Sequence, residues 1–134
     1  MEIESFQSPL TSSLAGAEAF RGIPEVTGIT YDLSLLRITL RFENIDYPVH
    51  VTFDGIRGFR VLDEGDLLEF WKPDVRANGW LWRVEKGGWF DLESLREGFV
   101  SGATGGYKEF LVLGLNECIS VIANDVPKIE APKP

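Results

Sequence analysis

Between positions 63 and 71 the chain carries its densest group of side chains able to do chemistry: Asp63, Glu64, Asp66 and Glu69, followed by Phe70 and Trp71. Carboxylates at this density can hold a hard cation, steer a basic partner, or keep a turn in water. The calcium-loop pattern needs carboxylates at alternating positions and a glutamate closing the loop at twelve, and this run lacks both. Beside Phe70 and Trp71 the acids combine attraction for a cationic surface with an aromatic that anchors the complex. These six residues are the candidate partner-binding face, and a solvated turn is the plain alternative.

A second group is basic. Arg37, Arg41, His50 and Arg60 occupy the polar positions of alternating segments, and if those segments pair in order they form a stripe that could grip an anionic ligand. The ordinary alternative is that each pairs with a carboxylate across the sheet, worth roughly 0.2–1 kcal/mol. His50 is the only histidine and Cys118 the only cysteine, so the chain offers no metal-ligand spacing and no internal disulfide. Gly102-Ala103-Thr104-Gly105-Gly106-Tyr107-Lys108 has glycines and a lysine. It fails as a phosphate loop, because the lysine does not follow the glycine directly, no Ser or Thr comes after it, and no strand-loop-helix context surrounds it. Ser12, Ser13, Ser94, Ser101 or Cys118 would each need His50 as a base, and none sits in a nucleophile motif. No catalytic residue, metal or cofactor is assigned.

The elements that must position these groups are mostly strands. Apolar residues fall on every second position in Leu36–Phe42, again in Val49–Phe53, and in Phe59-Arg60-Val61. Glu43–Pro48 has the length and turn chemistry of a hairpin link, and Asp54-Gly55 is a second turn signal. A meander of three or four antiparallel strands follows. Val26–Tyr31 is expected as an earlier strand with a bulge at Gly28, after which Asp32-Leu33-Ser34 turns the chain. Residues 64–71 fit strand and helix periods equally badly. Leu14–Phe20 can form a helical turn, and Asp91 can cap a short helix over 91–96, with Leu92 and Leu95 at i and i+3.

Trp71, Trp80, Trp82 and Trp89 lie close together, and strand alternation puts Trp80 and Trp82 on one face with Val84, covering one end of the core. Phe110–Leu113 and Ile119–Ile122 flank Gly114–Glu117 as a closing hairpin of buried strands. The expected fold is α+β and β-rich, mainly an antiparallel meander sheet with one or two short helices. At 134 residues it forms a single domain, 1–134, long enough to bury about two thirds of its unfolded surface. A loosely ordered arm, 1–13, and a proline-rich tail, 126–134, extended and without a fold of its own, flank it.

Twenty-one acidic against thirteen basic residues give a formal charge of −8. The mean field repels phosphate backbones and anionic lipid heads, so neither nucleic acid nor membrane is an expected partner. Such a surplus suits a partner that is itself basic, although keeping the chain dispersed in water is the more ordinary reason for it. Met1-Glu2-Ile3-Glu4 lacks the basic start of a secretion signal, and no window reaches the length of a membrane span, so a cytoplasmic location is expected.

The run Val51–Trp71, with Gly87-Gly88-Trp89 and Asn116-Glu117-Cys118 later, resembles small bacterial proteins, and the whole chain is similar in size and acidity to immunity proteins of contact-dependent and other polymorphic toxin systems. The resemblance covers about half the chain. Those immunity proteins differ in fold and share no common motif, so it transfers no residue role. It implies a non-enzymatic antitoxin that docks on a cognate, basic toxin domain, often a nuclease, and blocks its active site. Glu85, Glu93 and Glu97 would extend the acidic face. The rival class is a small anionic-ligand binder or enzyme built on the Arg37, Arg41, His50 and Arg60 stripe. The sequence does not specify an oligomeric state.

Overall fold

Alternation along the chain is translated directly into burial. Leu36, Ile38 and Leu40 are fully buried, as are Val49, Val51 and Phe53 in the following strand, while Arg37, Thr39 and Arg41 point the other way. The computed structural model describes residues 20–43, 45–63, 79–84, 89, 93–98 and 106–131. Within them run β1 (Glu25–Tyr31), β2 (Leu35–Arg41), β3 (Val49–Asp54), β4 (Ile56–Asp63), β5 (Leu81–Val84), β6 (Lys108–Leu113), β7 (Glu117–Ala123) and β8 (Lys128–Glu130). They make two four-stranded antiparallel sheets, ordered β1-β2-β3-β8 and β4-β7-β6-β5.

The sheets pack face to face. Leu36, Ile38, Val51 and Phe53 of the first meet Leu81, Phe110, Val112 and Val121 of the second in one continuous cluster. Phe53 and Phe110 rings stand 5.7 Å apart across it. Antiparallel β structure is therefore as expected, but a single meander is not. A two-residue loop is the shortest common hairpin, and only Gly55 separates β3 from β4. With φ at 62°, Gly55 turns the chain into the opposite sheet, so β4 pairs with β7 and not with β3.

Three further expectations are corrected. The tail is not wholly without structure: Lys128-Ile129-Glu130 adds to the open edge of β3, and Ile129 packs against the core. Trp80 and Trp82 do not share a face. Trp80 precedes β5 and enters the inter-sheet core, whereas Trp82 joins Val84, Leu111, Leu113 and Cys118 on the other side of the second sheet. Helical backbone among the described residues is confined to Trp89 and Glu93, so the helix expected over 91–96 has no describable extent. The arm 1–13, the turn over 14–19, the acidic segment 64–71 and the loop 101–105 lie outside the described residues. No helix among the described residues is long and apolar enough to cross a membrane.

The β1–β2 hairpin closes as its sequence suggests. Asp32 Oδ1 accepts hydrogen bonds from the amides of Leu35 at 2.8 Å and Ser34 at 3.0 Å, and from the Ser34 hydroxyl at 3.0 Å. The Leu35 amide, then the Ser34 donors, hold the Asp32 carboxyl below its usual value of 3.8. A depressed folded-state pKa adds stability above the unfolded value, and that stability is lost as pH falls through the folded one. Asp32→Asn keeps the acceptor oxygen but removes the charge. The drop in urea midpoint between pH 7 and pH 3 should then be smaller than in the parent chain, and an equal drop would show that Asp32 is not a source of acid sensitivity.

Candidate functional site

The last residue of β4 is Asp63, exposed, and its register partner across the sheet is Glu117 at the start of β7. Two carboxylates thus stand opposite each other at one end of the second sheet, where the chain leads into 64–71. Like charges placed so weaken a strand pair slightly, and they add to the local negative potential. Glu64, Asp66, Glu69, Phe70 and Trp71 belong to the segment outside the described residues. Glu117 was not among the candidate residues, because only the β4–β7 register brings it beside Asp63.

The basic stripe is divided by the topology. Arg37, Arg41 and His50 share the outer face of the first sheet, with Arg37 opposite Thr52 and Thr39 opposite His50. His50 Nδ1 lies 3.0 Å from Thr39 Oγ1, a cross-strand bond in which the ring holds a neighbouring side chain. Arg60 sits in the other sheet, with its guanidinium 5.1 Å from the centre of the Trp89 ring. Trp89 also lies over Gly58, where an added Cβ would come within 3.5 Å of Cη2 of the indole. Arg96 Nε, 2.6 Å from Glu93 Oε2, is the main cause holding the Glu93 carboxyl below its ordinary range, and Trp89 and Arg60 add to it. Arg60 is therefore part of the structure that fastens this region to the second sheet, and it cannot act with Arg37 and Arg41 on one ligand.

The remaining guanidinium groups of the stripe do not converge either. Arg37 lines an open cleft of about 270 Å³ with Thr30, Tyr31, Asp32 and Leu35. Arg41 borders a separate depression with Glu43, Ile45 and Asp46. Each arginine thus has at least one carboxylate lining the same depression, which lowers the local positive potential. On the same sheet face, Thr52 donates to Glu130 Oε1 at 3.2 Å, tying β8 to β3.

Sequence reading missed the opposite end of the sandwich, where the β1–β2 turn, the Gly55 corner and the β7–β8 link come together. A cleft of about 230 Å³ there is lined by Leu35, Thr52, Asp54, Asp125, Val126 and Lys128. The available signal was an apolar Leu33 inside a turn whose other residues are polar. Comparison with known protein families, curated proteins and solved structures finds no match for the chain.

Proposed function

We propose that this chain is an acidic, non-enzymatic immunity protein of the cytoplasm that binds a cognate basic toxin domain and neutralises it. Carboxylates steer the encounter, and apolar side chains hold the complex. The observation that carries this reading is the apposition of Asp63 and Glu117 at the strand ends flanking the acidic 64–71 segment, in a chain of net charge −8. Capture of a small anion is the weaker reading, because Arg60 lies in a different sheet from Arg37, Arg41 and His50.

The test is the association rate with a cognate toxin domain, to be sought among the genes adjacent to this one. Electrostatic steering raises such rates from about 10⁵–10⁶ toward 10⁸–10⁹ M⁻¹s⁻¹ at low salt. Reversing Asp63, Glu64 and Asp66 to lysine should slow association roughly tenfold or more in low salt and flatten its salt dependence, while changing dissociation much less. An unchanged association rate would remove this face from the interface, and a toxin domain that does not bind the parent chain would end the immunity reading.

A further inference from the structure

We draw no further inference here: the strongest candidate, the exposed apolar tip of the β1–β2 hairpin at Leu33, stands at an end of the sandwich that carries Arg37 and Lys128 as well as Asp32, Asp54 and Asp125, and nothing in the structure shows what covers it.

Discussion

Trp80→Ala should cost about 3–5 kcal/mol, the largest loss expected from any single truncation in the described core. The indole is only 1% exposed and lies in the cluster between the sheets. It packs edge-on to Phe42, centroids 5.2 Å apart, and Phe42 in turn stacks obliquely on Phe20 at 5.5 Å. Its Nε1 donates to the Phe20 carbonyl at 3.1 Å. Alanine therefore removes apolar burial, leaves a cavity that rigid sheets fill poorly, and deprives a part-buried carbonyl of its donor. Against a usual total of about 5–15 kcal/mol, that loss brings the chain near its folding threshold. Urea unfolding followed by far-ultraviolet circular dichroism is the suitable measurement, because tryptophan fluorescence would lose one of its reporters. Trp80→Phe keeps a ring while losing the hydrogen bond and part of the buried volume, at about 1–3 kcal/mol. A Trp80→Ala loss below about 1 kcal/mol would contradict a packed indole between the sheets.

Gly114→Ala should destabilise by about 1–3 kcal/mol, and Gly114→Val by more. A Cβ built at Gly114 would lie 2.5 Å from the Glu117 carbonyl oxygen and 2.7 Å from Cγ2 of Val26. Neither neighbour can yield easily. The Glu117 oxygen accepts from the Gly114 amide at 2.9 Å and so belongs to the turn itself, and Val26 is part of β1 in the other sheet. The next amide, of Leu115, donates to the Pro24 carbonyl at 2.9 Å. Gly114 thus marks where the β6–β7 turn is seated against the first sheet. Comparison with Gly98→Ala isolates the effect, because nothing lies within 4 Å of a Cβ placed there. Equal stability for the two variants would mean that the turn can move away from β1 without loss.

Period-two alternation in Leu36–Arg41 and Val49–Phe53 was sufficient to define two strands and their inner faces, because each residue's side in a strand follows from parity alone. The β1 bulge was legible from Gly28, and the register shift between Val26 and Gly28 is where that glycine places it. The β6–β7 hairpin was legible from two apolar runs around a polar turn. Local signals were less informative where neighbours in space come from distant positions. Nothing near Arg60 announces that β4 pairs with β7, and nothing near Lys128 announces an open edge on β3. Parity fails for Trp80 because β5 begins only at Leu81, so the pleat does not extend back to the indole.

Composition and periodicity alone determined that this is an acidic, antiparallel β protein, because charge sums over residues and pleat parity is local. Which polar groups share a surface was decided only by the tertiary structure. One glycine in a left-handed conformation sends β4 into the second sheet, and that step separates Arg60 from the other basic residues, sets Glu117 beside Asp63, and leaves Leu35 lining one cleft with Asp54 and Asp125. Sheet choice at such a corner depends on where the remaining strands can bury their apolar faces together, a condition satisfied by the whole chain and by no segment of it.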